Sequence, residues 1–174
     1  MKHQEVLAAI RDVKDFPVEG IIFKDITTVL SNPEYLKWMK DEIVNLYRAY
    51  GITKVVGIES RGFILGPAVA MDLGAGFVPV RKPGKLPAET IEVSYAKEYG
   101  VDTIQIHADA LSEDDVVLLH DDLLATGGSM AAALELVRKF NVKKVYINFI
   151  IELEFLNGRK AIGDDVEVSS LLSC

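Results

Sequence analysis

Val116-Val117-Leu118-Leu119-His120-Asp121-Asp122-Leu123-Leu124-Ala125-Thr126-Gly127-Gly128-Ser129 is the stretch whose reading decides the fold. An apolar run leads straight into two acids and then into a small, glycine-rich turn. The following segment, Met130 to Phe140, has a helical pattern: Ala133, Leu136, Val137 and Phe140 fall at i, i+3, i+4 and i+7 on one face. Arg138 and Lys139 lie in its last turn, where the helix dipole favours cations. This is a buried strand feeding a helix through a turn of small residues. Glycines let backbone N–H groups turn toward one point. The helix N-terminus adds its unsatisfied N–H groups and positive dipole end. The turn Ala125, Thr126, Gly127, Gly128, Ser129, with its two hydroxyls, is a cradle for a phosphate monoester. Asp121 and Asp122 stand where the sheet is expected to end. They suit two vicinal ribose hydroxyls beside a 5′-phosphate, with water-mediated support of Mg²⁺ also open to them. An ordinary turn with Ser129 as N-cap would account for Gly-Gly-Ser alone, but the strand before it and the helix after it supply the context a phosphate loop requires.

Outward from this unit the alternation repeats. Val55-Val56-Gly57-Ile58, Phe77-Val78-Pro79-Val80 and Val145 to Ile151 are short apolar runs of the kind buried on both faces of a sheet. Pro33 to Tyr50 is predicted as a long helix, with Asn32 as N-cap and Pro33 at the first helical position. Gly62 to Leu73 is another, closed by Gly74. Strands alternating with helices predict an α/β fold, a parallel sheet with helices on both faces, whose ligands bind beyond the carboxyl ends of the strands. Two segments stand apart. Residues 1–32 contain a short helix near His3–Arg11. Residues 82–107 contain two alternating stretches, Thr90–Tyr95 and Val101–His107, and read as a mobile hairpin or flap. Gly74-Ala75-Gly76 is not a dinucleotide fingerprint, because position 79 is proline and a strand follows. No lysine follows Gly127-Gly128, so the loop is not a Walker A loop.

The 174 residues are expected to form a single domain, with 49% hydrophobic and 26% charged residues. No segment approaches the roughly 18 apolar residues of a spanning helix, and Met1-Lys2-His3-Gln4-Glu5 begins no signal peptide. Neither a membrane partner nor export is expected, and the chain reads as cytoplasmic. Cys174, the single cysteine, excludes an intrachain disulfide or a thiolate metal site and fits a reducing compartment. A net charge of −7 argues against nucleic acid as partner. It leaves room for a phosphorylated small molecule, which needs only a local cluster of donors and cations.

Two other strand ends supply such a cluster. Glu59-Ser60-Arg61-Gly62-Phe63 places Arg61 beside a helix N-terminus, a combination suited to pyrophosphate. Arg81-Lys82-Pro83-Gly84-Lys85-Leu86-Pro87 crowds three cations into seven residues of an acidic chain.

The Asp121–Ser129 run resembles the phosphoribosyl pyrophosphate (PRPP) signature of type I phosphoribosyltransferases, in the version found among adenine phosphoribosyltransferases. The similarity extends from Phe16 to about Leu156. It implies a mostly parallel five-stranded sheet with a small N-terminal hood over residues 1–32 and the flap over 82–107. It implies that adenine and PRPP give AMP and pyrophosphate, with Mg²⁺ held mainly by PRPP and no direct protein ligand, and that the chain is a homodimer. Pyrophosphate would be gripped at Ser60 and Arg61, often through a strained peptide before the arginine, here Glu59–Ser60. Lys85 would bind the leaving group, with Arg81 and Lys82 open to sharing with a partner subunit. In the hood, Phe16-Pro17-Val18-Glu19-Gly20-Ile21-Ile22-Phe23-Lys24, the ring of Phe23 would stack on the purine. The Ile22 carbonyl would accept from the exocyclic amine, and the Lys24 N–H would donate to N1. At the flap tip, Glu98 would be the acid/base group and Tyr99 would lie near the ribose.

Three positions depart from the pattern. His120 replaces an apolar residue before the acids and reads as a satisfied strand-end histidine. Glu19 replaces a proline before Gly20 and is expected to loosen the hood. The end Leu171-Leu172-Ser173-Cys174 is short and would lack the contacts of a longer tail. Transfer to xanthine, hypoxanthine or orotate is the nearest competing function. A PRPP-sensing regulator without catalysis belongs to a different class, and the acidic chain lacks the basic surface such a protein would carry.

Overall fold

The computed structural model describes residues 2–16, 18–20, 22–97 and 100–174. In chain order the elements are α1 (Lys2–Ala9), β1 (Arg11–Lys14), β2 (Ile22–Asp25), α2 (Thr27–Leu30), α3 (Pro33–Tyr47), β3 (Lys54–Ile58), α4 (Gly62–Leu73), β4 (Gly76–Val80), β5 (Thr90–Ala96), β6 (Val101–His107), β7 (Val116–Leu124), α5 (Gly128–Arg138), β8 (Lys144–Glu152), α6 (Arg159–Ile162) and β9 (Glu167–Ser173). Five strands form one parallel sheet in the order β4-β3-β7-β8-β9. Two antiparallel ribbons, β1–β2 and β5–β6, stand outside it.

The local chemistry explains the helix ends. The Asn32 side chain accepts from the N–H groups of Glu34 and Tyr35, and Pro33 opens α3. Gly74, at φ +68°, closes α4 in the left-handed conformation that glycine adopts without penalty. The sheet is buried on both faces, and alternate residues from Val117 to Leu119 of β7 serve opposite cores. Along β7, Val117 and Leu119 join Val56, Ile147, Phe149 and the apolar face of α5. Leu118 joins Val55, Ile150, Leu172 and the inner faces of α3 and α4. Among the described residues no helix is long and apolar enough to cross a membrane.

Three expectations are corrected. The first helix stops at Ala9, and the polar segment after it is a strand that pairs with β2, Val13 opposite Phe23. Strand β7 does not end before the acids. It runs on to Leu124 because β8 continues to pair with it as far as Leu124 opposite Glu152, whereas its pairing with β3 stops at His120 opposite Gly57. Helix α5 starts at Gly128, two residues before Met130, so its N-cap is Gly127 and not Ser129.

Candidate active site

Strand β7 delivers both carboxylates to the mouth of the sheet. Asp122 is buried, and its backbone N–H donates to Asp121 Oδ1 at 2.9 Å. Burial pushes both carboxyls above the usual carboxylate range. Asp121 is raised well above it, with the Asp122 charge adding to the effect, while the Arg61 guanidinium works in the opposite sense on Asp122.

The phosphate loop follows at once. Gly127 has φ +84°, and a Cβ there would run into the backbone carbonyl of Gly158, so this position accepts glycine alone. The loop therefore rests on the Gly158–Ala161 turn. That turn is in turn anchored by Arg159, whose Nε and Nη2 donate to the Glu152 carboxylate at 2.8 and 2.6 Å and whose Nη1 donates to the Val168 carbonyl at 2.9 Å. Among the described residues no side chain caps α5, which leaves its first N–H groups directed at the loop. Thr126 is exposed, and Ala125, Gly128 and Ser129 are partly so.

Arg61 joins this side to the N-terminal ribbon. Its Nε lies 2.8 Å from Asp122 Oδ2, and its guanidinium sits 5.4 Å from the centroid of the Phe23 ring. Phe23 is also packed edge-on against Phe16 at 5.3 Å between centroids. Gly62 is what lets Arg61 come so close: a Cβ on it would lie 2.6 Å from the His120 carbonyl, so only glycine lets α4 begin against β7. The Glu59–Ser60 peptide before Arg61 is cis. Lys24, on the far side of Phe23, has its ammonium turned away to Asp12 at 2.7 Å.

The cationic loop forms a second group. Arg81 pairs with Glu59 at 3.2 Å, the Lys82 N–H donates to the same carboxylate at 2.9 Å, and Lys82 Nζ lies 3.0 Å from Asp102 on β6. The Lys82 N–H and then Arg81 hold the Glu59 carboxyl below its usual range. Lys85 is exposed, its carbonyl accepting from Arg81 Nη1 at 3.4 Å. The structure thus brings Phe23, Arg61 and Asp122 together, and places Arg81, Lys82 and Lys85 in a separate group with Glu59.

A family model for the phosphoribosyl transferase domain matches residues 25–168. An adenine phosphoribosyltransferase of Bacteroides thetaiotaomicron is 61% identical over 99% of this chain and 98% of its own length. The chain belongs to the adenine phosphoribosyltransferase family. Among solved structures, an adenine phosphoribosyltransferase of Giardia lamblia, complexed with 9-deazaadenine, superposes with a TM-score of 0.94 at 44% identity, covering 100% of this chain and 98% of that one. One from Trypanosoma brucei, in complex with AMP, pyrophosphate and ribose-5-phosphate, has a TM-score of 0.90 at 27% identity and covers 98% and 79%.

For an adenine phosphoribosyltransferase, three features of this site escape sequence reading. Glu59 organises the cationic loop. Asp102 and Tyr95, opposite one another across β5–β6, reach both that loop and the phosphate loop. Asp102 is the one acid in the alternating run Val101–His107, and alternation alone does not distinguish it from solvent-facing polarity. Glu98 and Tyr99 lie outside the described residues, as do Pro17 and Ile21. His120 is not at a strand end. It is buried within β7, its Nδ1 3.1 Å from Asn148 Oδ1 and its Nε2 without a hydrogen-bond partner among the described residues, and burial lowers its pKa to about 4. Glu19 sits in a loop that is nonetheless closed, since the Gly20 N–H donates to Asp15 Oδ1 at 2.7 Å.

Proposed function

We propose that this chain, as one catalytic unit with residues 1–32 as hood and 82–107 as flap, transfers phosphoribosyl from PRPP to N9 of adenine, giving AMP and pyrophosphate in purine salvage. The observation that carries this is the Arg61 bridge. One guanidinium touches both the Phe23 ring and the Asp122 carboxylate. An aromatic platform for a base, acceptors for a ribose and a phosphate-binding helix terminus therefore share one mouth.

The roles follow from the chemistry of each group. The 125–129 loop holds the 5′-phosphate on backbone N–H groups and hydroxyls. Asp121 and Asp122 accept the two ribose hydroxyls. As these hydroxyls take over the Asp122 oxygens, Arg61 is released toward the anionic end of the substrate. Attack by N9 inverts C1 through an oxocarbenium-like transition state, whose positive charge develops near the two carboxylates. Ser60, Arg61, Arg81, Lys82 and Lys85 neutralise the departing pyrophosphate. Glu98 takes the N9 proton, directly or with help from N7, and Tyr99 lies near the ribose. A closed flap keeps water from hydrolysing PRPP.

Base choice rests on backbone. Ile22 and Lys24 are alternate residues of β2, so the carbonyl of one and the N–H of the other face the same edge. An acceptor beside a donor fits a 6-amino purine, whereas a 6-oxo group would face the carbonyl and leave both unpaired. Among the described residues no group of three or more His, Cys, Asp or Glu side chains could hold a metal ion. Two carboxylates do suit Mg²⁺ that arrives on PRPP with its waters. When bound, the ion supplies charge neutralisation at the pyrophosphate oxygens. A cytoplasmic homodimer completes the proposal.

The test is a base panel. With Mg²⁺ and PRPP, adenine is expected to yield AMP, while hypoxanthine, guanine, xanthine and orotate yield nothing. Turnover of another base would remove the hood assignment of Ile22, Phe23 and Lys24. PRPP binding with no turnover of any base would mark a sensor.

A further inference from the structure

Three cationic side chains at the mouth are each already held by a carboxylate: Arg61 by Asp122, Arg81 by Glu59 and Lys82 by Asp102. Asp122 lies within β7 and Glu59 directly after β3, both on the central sheet. Asp102 is not on that sheet. It stands on β6 opposite Tyr95, and its side chain, 20% exposed, gathers three donors. These are Lys82 Nζ at 3.0 Å, the Lys97 ammonium and the Tyr95 hydroxyl at 3.4 Å. Lys82 comes from the loop after β4 and Lys97 from the residue after β5. Tyr95 lies over the phosphate loop, where a Cβ on Gly128 would meet its ring at 3.6 Å. One carboxylate thus ties the hairpin to the cationic loop and, through Tyr95, to the phosphate cradle.

A carboxylate bearing two ammonium groups reproduces the environment that a pyrophosphate oxygen requires. We infer that Asp102 is an internal competitor of pyrophosphate, holding Lys82 and Lys97 in the open site, yielding them to the pyrophosphate end of PRPP and taking them back as pyrophosphate leaves. Lys97 thereby becomes a further leaving-group ligand. Lys82 and Lys97 are about half exposed, so each ion pair is weak enough to exchange. Pyrophosphate carries more charge and more acceptors than one carboxylate and wins the cations. Its net affinity is reduced by the pairs it displaces, which favours release over trapping. The inference rests on the phosphoribosyl transfer proposed above.

Calorimetric titration of pyrophosphate with Mg²⁺ into the wild-type chain and its Asp102→Asn and Lys97→Met variants tests it without turnover. Asp102→Asn is expected to bind pyrophosphate about three- to tenfold more tightly, a gain that shrinks at high salt. Product inhibition should strengthen with it while the KM for adenine stays the same. Lys97→Met should bind pyrophosphate more weakly and, combined with Asp102→Asn, reduce that gain. Unchanged or weaker binding by a normally melting Asp102→Asn variant overturns the competitor role. If that variant melts early, Lys97→Met decides, and unchanged affinity there overturns it. A wild-type chain that converts adenine while failing this test discards the role of Asp102 alone. A chain that turns over no base fails the transfer reading instead, whatever the titration gives.

Discussion

The phosphate end and the leaving-group end of this site are built from different material. From Asp121 to Ser129 the polar groups on offer are backbone N–H groups, short hydroxyls and two carboxylates, held by a buried strand and by a position that only glycine fits. From Arg81 to Lys85 and across β5–β6 they are long cationic side chains on exposed loops, held by ion pairs. On the proposed reading the 5′-phosphate is the same group before and after transfer, so a rigid cradle would serve it throughout. Pyrophosphate would be created and expelled in each cycle, so the cations proposed as its ligands would have to change partners, and surface ion pairs do so at little energetic cost.

The largest expected effect lies on the rigid side. Asp122→Ala removes the partner of Arg61 and the proposed ribose acceptor, and kcat/KM should fall about 10³-fold with the far-UV spectrum unchanged. A loss below about tenfold would break the contrast by moving recognition elsewhere. Gly127→Ala forces a Cβ into the Gly158 carbonyl at positive φ. It should destabilise the fold by about 2–3 kcal/mol in chemical denaturation and raise the KM for PRPP. Phe23→Ala should raise the KM for adenine about tenfold and leave that for PRPP within about twofold, as read by initial rates.

Asp121→Asn sharpens the contrast through stability. Burial pushes this carboxyl above the usual range. A carboxyl that holds its proton more tightly folded than unfolded makes the native state lose stability as pH rises from the unfolded value, about 3.9, through the raised native one. The substitution removes that loss, so the variant should be more stable at neutral pH and show a flatter dependence of melting temperature on pH, while turning over more slowly. The smallest effect is expected on the flexible side. Lys85→Ala should raise the KM for PRPP only about threefold, and the difference should fade with added salt.

Much of this was legible because it is local. Asn32 and Pro33 at one helix start, Gly74 at another helix end and the alternation of Thr90–Tyr95 and Val101–His107 each found their structural counterpart. The fifth strand was not legible from its own residues. Glu167–Ser173 carries three serines and no apolar run, and it is a strand because β8 offers it a paired edge. The extension of β7 through the two acids has the same cause, as does the ribbon partner Arg11–Lys14, whose polar residues carry no strand signal. His120 read as satisfied because its neighbours in sequence do not show that Asn148 would meet only one of its nitrogens.

By itself the sequence determined the βα alternation, the glycine-rich turn at Ala125–Ser129 that opens a helix, the acid pair before it and the cations at two other strand ends. Each is a property of a short run, governed by turn chemistry, helix termini and periodicity. Only the tertiary structure decided that Arg61 spans Phe23 and Asp122, that Gly158 shapes the phosphate loop, and that Asp102 gathers Lys82 and Lys97. Those contacts join residues that no local pattern relates, and they form only when packing of helices and ribbons on the sheet brings distant segments together.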